Sequence, residues 1–225
     1  QFAYVASHDL QEPLRKVRAF SDRIVTKYSE VIDDKGKDYI ARMNGAAERM
    51  QLLIDDLLKY SRVARNPKEF RRIDPTEIIN SIKIDFETII NETGAQFDIK
   101  GLESVDGDKT QLRQLFQNLI SNAIKFTPED RTPKIKITGK KVRGSSQKDF
   151  KISSGKLFLR IEVEDNGIGF DQKYAERIFN IFERLHGKYK FKGTGIGLAI
   201  CQKVVQNHNG YIRAESNNDE GARFI

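Results

Sequence analysis

Phe2-Ala-Tyr-Val-Ala-Ser-His8-Asp9-Leu-Gln-Glu12-Pro13-Leu-Arg15 is the stretch from which the rest of the chain is read. Apolar side chains at Ala3, Ala6, Leu10, Leu14, Val17, Ile24 and Tyr28 recur in steps of three, four or seven, as on a helix with one buried seam. At about 100° per residue His8 lies roughly 160° from Leu10, on the polar face. Pro13 has no N–H, so the Asp9 carbonyl loses its helical partner and the helix bends one turn beyond His8. An outward imidazole beside Asp9, with Glu12 one turn on and a kink next door, is a presented nucleophile or an ordinary surface histidine. The surrounding chain has to decide between them.

Residues 1–65 read as two helices. The first runs to about Glu30, and Asp33-Asp34-Lys35-Gly36 reads as a tight polar turn. The second carries Ile40, Met43, Ala47, Met50, Ile54, Leu57 and Tyr60, close to a heptad. Two antiparallel helices cannot close a core around seams of this length. A second copy would complete a dimeric four-helix bundle; the alternative is a hairpin packed on the domain that follows.

The chain has 225 residues, 38% hydrophobic and 32% charged, enough for one large or two modest domains. No apolar run approaches the roughly 20 residues of a membrane span, and no signal peptide is visible. The lone Cys201 excludes an internal disulfide and fits a reducing, cytoplasmic setting, whether or not a longer parent protein is attached to a membrane. It also leaves no ligand spacing for zinc. His186 and His208 sit in polar stretches and read as exposed. The net charge of +7 is scattered among 32 acids, which argues against nucleic acid and suits a polyanionic small molecule or an acidic protein. The absence of an initial Met suggests a fragment of something longer.

Arg62–Phe70, with Asn66-Pro67, reads as a domain boundary, after which helices and strands alternate. Asp74-Pro75-Thr76-Glu77 is a capping signature opening a helix through Ile90 to Gly94. Strands are expected at 95–102, 134–142, 157–164, 211–216 and 222–225, with a Ser/Gly/Lys-rich hairpin loop at Arg143–Gly155.

Within 108–126 the residues Gln111, Gln114, Asn118, Asn122 and Lys125 share one helix face, opposite Leu112, Leu115, Leu119 and Ala123. Amphipathicity explains the split, but not a stripe of amides ending in one lysine. Two neutral oxygen donors four residues apart can hold Mg²⁺, and Lys125 can reach a phosphate. Asp165-Asn-Gly167-Ile-Gly169 ends a strand with an acid and two glycines: an ordinary tight turn, or a fixed acceptor with backbone close to a ligand. Gly193-Thr194-Gly195-Ile196-Gly197-Leu198 opens a helix whose first N–H groups can cradle phosphate. It is neither a dinucleotide fingerprint nor a P-loop. The polar segment between them carries Arg184, Lys188, Lys190 and Lys192, with Phe179 and Phe182 anchoring its middle, and could order over a triphosphate as a lid does.

Taken in order, His8-Asp9…Pro13, Asn118-x-x-x-Asn122-Ala-x-Lys125-Phe126, Asp165-x-Gly-x-Gly169, Phe179-x-x-Phe182 and Gly193-x-Gly-x-Gly197 resemble the H, N, G1, F and G2 boxes of the sensor histidine kinases of two-component systems. The resemblance covers nearly the whole chain. It implies an all-α hairpin at 1–65, forming a dimeric four-helix bundle for dimerisation and phosphotransfer. Residues 66–225 would then be an α/β sandwich of the Bergerat type with a mixed sheet, binding ATP, its lid at about 171–197. It implies an autokinase that moves the γ-phosphoryl group of ATP to His8, with Asp9 taking the proton, and then to an aspartate of a response regulator receiver domain. Asn122, helped by Asn118, would hold Mg²⁺; Lys125 would contact phosphate. Asp165 would accept from the adenine amino group. Gly167, Gly169, Phe182, Arg184, Gly193, Thr194, Gly195, Gly197 and Leu198 would complete the ATP site. One departure stands out: the family most often has Thr or Asn where this chain has Glu12, a position tied to dephosphorylating the partner, so weak phosphatase activity is expected.

Two other classes of function compete with this reading. One is a dimeric scaffold that binds nucleotide without turnover, against which the intact His8, Asn122, Asp165 and glycines argue. The other is an ATPase clamp of the gyrase or heat-shock type, which uses Glu where this helix has Asn118 and lacks the histidine hairpin.

Overall fold

A computed structural model describes residues 2–64, 69–144, 157–185, 191, 193–217 and 219–225, the side chains of 2–10 and 64 excepted. Two compact units result, Gln1–Arg62 and Val63–Ile225. The boundary pair Asn66-Pro67, nearly all of the 143–155 loop, His186, and Lys188, Lys190 and Lys192 of the expected lid lie outside the described residues.

The first unit is a hairpin of α1 (Phe2–Tyr28) and α2 (Asp34–Ala64), with Pro13 inside α1. Gln11 meets Asp55 and Asp22 meets Asn44 across the hairpin, so the helices run antiparallel. The turn falls earlier than the sequence suggests. Asp33 caps α2, accepting the Gly36 N–H on Oδ1 at 2.7 Å, and Gly36 belongs to the first helical turn. An acid just before a helix satisfies N–H groups that a turn reading leaves aside. The buried seam is short: Leu14 on α1 with Ala47 and Ile54 on α2, joined by Leu58. Val17, Phe20, Ile24, Tyr28, Met43, Met50 and Leu57 stay exposed.

The second unit is a two-layer sandwich. A five-stranded sheet, in the order β2-β4-β5-β7-β6, comprises β2 (Gln96–Lys100), β4 (Lys134–Arg143), β5 (Leu157–Asp165), β6 (Ala214–Asn217) and β7 (Gly221–Phe224). Among the described residues only β2 and β4 pair in parallel, so the sheet is mixed. Strand β4 shows why one face is dry: Ile135 and Ile137 point into the core, while Lys134 and Lys136 point out. Packed with the core are α3 (Pro75–Asp85), α5 (Lys109–Lys125) and α6 (Gly197–Asn207), contributing Ile78, Ile79, Ile82, Phe116, Ile120, Ile200 and Val204. The outer face carries an ion-pair chain, Lys136–Glu164–Arg223–Glu215–Arg213.

Differences from expectation are local. The helix expected from Asp74 to Gly94 is two, α3 and α4 (Glu87–Thr93), broken at Phe86, whose φ of −100° and ψ of 12° leave the helical region. Gly94 ends α4 with φ 67°, the left-handed conformation that a side chain resists. A small sheet of β1 (Arg71–Ile73) with β3 (Val105–Gly107) has strands too short to show a period. His208, expected to be exposed, is instead built into this end of the unit. Its Nε2 accepts the Asp108 N–H at 3.0 Å, and its ring stacks on Phe70.

Candidate active site

The site is organised by α5. Asp108 caps it, accepting the N–H groups of Thr110 and Gln111, and Leu112, Leu115, Phe116, Leu119, Ala123 and Ile124 fix its rotation by entering the core. The amide stripe then divides by depth. Gln111 is buried and its Oε1 accepts from Asn207 at 3.0 Å, so it belongs to the scaffold. Further along, Asn118 donates Nδ2–H to the Gly197 carbonyl at 3.1 Å, and Asn122 and Lys125 are half-buried. The stripe therefore faces the glycine-rich turn that opens α6.

That turn needs its glycines. Gly193 and Gly195 have φ of 152° and 78°. A β-carbon on Gly195 would stand 2.7 Å from the Glu183 carbonyl oxygen, and one on Gly193 2.8 Å from Lys125 Nζ. Ile196 precedes α6 without any side-chain cap, so the first N–H groups of α6, from Gly197 and Leu198 onward, have no partner inside the helix. Thr194 Oγ1 accepts the Ile196 N–H at 3.4 Å.

Beside the turn sit two cations. Burial first, and neighbouring Arg184 second, lower the pKa of Lys125. Arg184 donates to the Phe191 carbonyl, and Phe191 packs on Phe126, over whose ring Lys125 Nζ lies at 4.3 Å. Among the described residues no carboxylate pairs with either cation, and two neighbouring cations beside the turn suit an anion. Phe179 is buried, but Phe182 is 55% exposed at φ 67°, its N–H donating to the Gly195 carbonyl at 3.1 Å. Phe182 is held by its backbone and, contrary to the sequence reading, is more than half exposed among the described residues.

The acid of the other glycine motif adjoins this region, because the Ile168 N–H donates to the Phe126 carbonyl. Asp165 ends β5 with Oδ1 accepting the N–H groups of Gly167 at 2.9 Å and Ala222 at 3.2 Å. Desolvation outweighs those bonds and pushes its pKa up to about 6. Gly169, at φ 60°, lies against the β6–β7 hairpin, where a β-carbon would strike the Asn217 carbonyl oxygen. The Ala222 N–H and the Asn166 side chain were not legible as site parts. Asn166 accepts the Lys134 N–H on Oδ1 and donates Nδ2–H to the Thr132 carbonyl, bonds that depend on distant segments.

Asn118 and Asn122 supply neutral oxygens suited to Mg²⁺, but at most two of its usual six ligands. Among the described residues no cluster of three His, Cys, Asp or Glu could hold a metal by itself. The donor set therefore fits an ion that arrives with phosphate. Cys201, directly under α5, is fully buried and its thiol pKa is pushed up to about 12 by burial. His8 and Asp9 lie in α1, and their side chains are outside the described residues.

A family profile described as histidine kinase-, DNA gyrase B-, and HSP90-like ATPase matches residues 107–225. A second, described as the His Kinase A (phospho-acceptor) domain, matches residues 1–66. The chain belongs to the sensor histidine kinases of two-component systems, as the catalytic core that joins a phospho-acceptor hairpin to an ATP-binding domain. The phytochrome-like protein Cph1 of Synechocystis sp. is 42% identical over 224 residues, covering 100% of this chain. The chain spans 28% of that relative's length. Full-length ShkA in complex with AMPPNP shares the fold with a TM-score of 0.67 at 21% identity, over 99% of this chain and 44% of that one. ThkA in complex with the response regulator protein TrrA shares it with a TM-score of 0.57 at 22% identity, over 97% of this chain and 59% of that one.

Proposed function

We propose that the protein transfers the γ-phosphoryl group of ATP to His8 and then to an aspartate of a response regulator. The observation that carries the residue assignments is the meeting of the α5 amide stripe with the uncapped start of α6, flanked by Lys125 and Arg184. Phosphoryl transfer needs alignment and charge neutralisation more than covalent help, and this arrangement offers both. Asp165 accepts from the adenine amino group through Oδ2, since Oδ1 is occupied by two N–H groups. Asn122 and Asn118 would hold Mg²⁺ together with the triphosphate, and the ion would supply neutralisation of negative charge there. Lys125, Arg184 and the backbone of Gly193–Leu198 hold the phosphates, while Gly167 and Gly169 let the Asp165 turn approach the base.

A neutral His8 is the nucleophile: one ring nitrogen bonds to phosphorus, the bond to ADP breaks, and Asp9 takes the proton from the other nitrogen. The exposed apolar stripe of the hairpin is covered by a second copy, giving a homodimeric four-helix bundle through residues 1–65. Partner choice follows from the class: a receiver domain, not nucleic acid. No helix among the described residues is long and apolar enough to cross a membrane, and we place this core in the cytoplasm.

The test is incubation with γ-labelled ATP and Mg²⁺. Label that is acid-labile, base-stable and lost in His8→Ala is the expected result. Steady phosphate release without protein-bound label would point to an ATPase clamp, and neither label nor release to a scaffold.

A further inference from the structure

Three loops around the Asp165 turn converge on one side chain outside the site described above. Arg131, in the turn after α5, directs Nη1 at the carbonyl oxygens of Asn166 at 2.7 Å, Gly167 at 3.3 Å and Asp219 at 3.4 Å. The Asn166 carbonyl and the Gly167 N–H belong to the same peptide group, and that N–H donates to Asp165 Oδ1. Arg131 thus stands one peptide unit from the carboxylate. A cation at the carbonyl end of a peptide polarises its N–H, so the donor to Oδ1 is strengthened as well as placed.

The second donor to Oδ1 is braced by the same guanidinium. Asp219 returns its N–H to the Ile168 carbonyl at 2.8 Å, and the strand that follows delivers the Ala222 N–H to Asp165. Asn166 ties the Thr132 and Lys134 backbone to the turn from the other side. Among the described residues Arg131 pairs with no acid, and the partners of its Nη1 are all neutral carbonyls that flank Asp165.

We propose that Arg131 is a positioning residue for base recognition: through the Asn166–Gly167 peptide and the Asp219 carbonyl it orients Asp165 so that Oδ2 faces the adenine amino group. It thereby sets the preference for adenine over guanine nucleotides without touching the nucleotide. This rests on Asp165 being the base acceptor, and the test separates the two ideas.

Calorimetric titrations of the full chain with ADP, GDP and tripolyphosphate, each with Mg²⁺, would be compared for wild type, Arg131→Ala, Arg131→Lys and Asp165→Asn. Loss of charge-assisted hydrogen bonds at a partly solvated site should weaken ADP binding roughly five- to tenfold in Arg131→Ala. The ADP-to-GDP ratio should narrow, and tripolyphosphate should bind as in wild type. Arg131→Lys should recover part of the ratio. The proposal is overturned if Arg131→Ala keeps the wild-type ratio, or if it loses ADP and tripolyphosphate in equal measure while melting as wild type does. Should the alanine variant unfold, Arg131→Gln carries the same comparison. If Asp165→Asn keeps the wild-type ratio, the base assignment itself fails; if Asp165→Asn loses the ratio and Arg131→Ala keeps it, only the role of Arg131 fails.

Discussion

The two units solve the problem of burying apolar surface in opposite ways. The second holds Phe116, Ile79, Ile82, Ile120, Ile137 and Val204 almost wholly out of water between sheet and helices. Among the described side chains of the hairpin the buried apolar cluster is Leu14, Ala47 and Ile54, while Phe20 remains 61% exposed. A fold that is complete within one chain has a stability independent of concentration. A hairpin whose seam is covered by a second copy, as proposed above, would have a stability linked to association by mass action. On the proposed function, nucleotide handling would rest on the self-sufficient unit and phospho-acceptance on the sparsely buried hairpin.

The largest effect expected from breaking this contrast is in the second unit. Phe116→Ala should cost roughly 3–5 kcal/mol, read as a drop in the melting temperature of the ATP-binding unit that is the same at every protein concentration. A concentration-dependent drop would contradict the division. Next, Phe20→Asp puts a charge into the seam and should weaken self-association about a hundredfold, a change of about 2.7 kcal/mol. Sedimentation should then show monomers whose ATP affinity is unchanged; persistence of the dimer would mean that another surface mediates it.

Asp165 sharpens the comparison differently, because here function opposes stability. Its carboxyl titrates at about 6 when folded against 3.8 otherwise. Between those values the unfolded chain has released its proton and the folded one retains it, so stability falls as pH rises through the window. The cost is complete above the folded value, on the order of 2–3 kcal/mol. Asp165→Asn should therefore raise the melting temperature near neutral pH and give no gain below the unfolded value. ATP affinity of the wild type should move the other way, falling as pH drops through about 6, where a proton on Oδ2 makes it a donor facing the amino group. A flat profile of affinity with pH would remove Asp165 from base recognition. The smallest effect concerns the hairpin alone. Glu12 pairs with Lys16 at 2.7 Å, largely in solvent. Glu12→Thr should increase the rate at which a phosphorylated receiver domain loses its label, and no increase would sink the link between this position and phosphatase activity.

How much of this could be read beforehand depended on the range of the interactions. Periodic seams, the caps at Asp74 and Asp108 and the glycine motifs are written in neighbouring residues, and the elements they announce are present. The break at Phe86 was hidden because Ile78, Ile82, Phe86 and Ile90 keep a helical period across it. Tertiary packing overrode that period. Gln111 looked equivalent to Asn118 on a helical wheel, yet Asn207, 96 residues away, claims one and the Gly197 carbonyl the other. His208 likewise found its partners at Asp108 and Phe70 only once the chain was folded. Spacing identified candidate ligands; long-range bonds decided which of them became framework.

The state of Cys201 has a practical corollary. The chain's single thiol is sealed beneath α5 and remains protonated far above neutral pH. A cysteine introduced at an exposed position such as Phe182 or Met50 would then be the sole reactive thiol of the folded chain. Fluorescent or spin labels could be attached there without first removing the native residue, so the proposed lid and the proposed pairing of hairpins could each be tested by an optical or magnetic reporter.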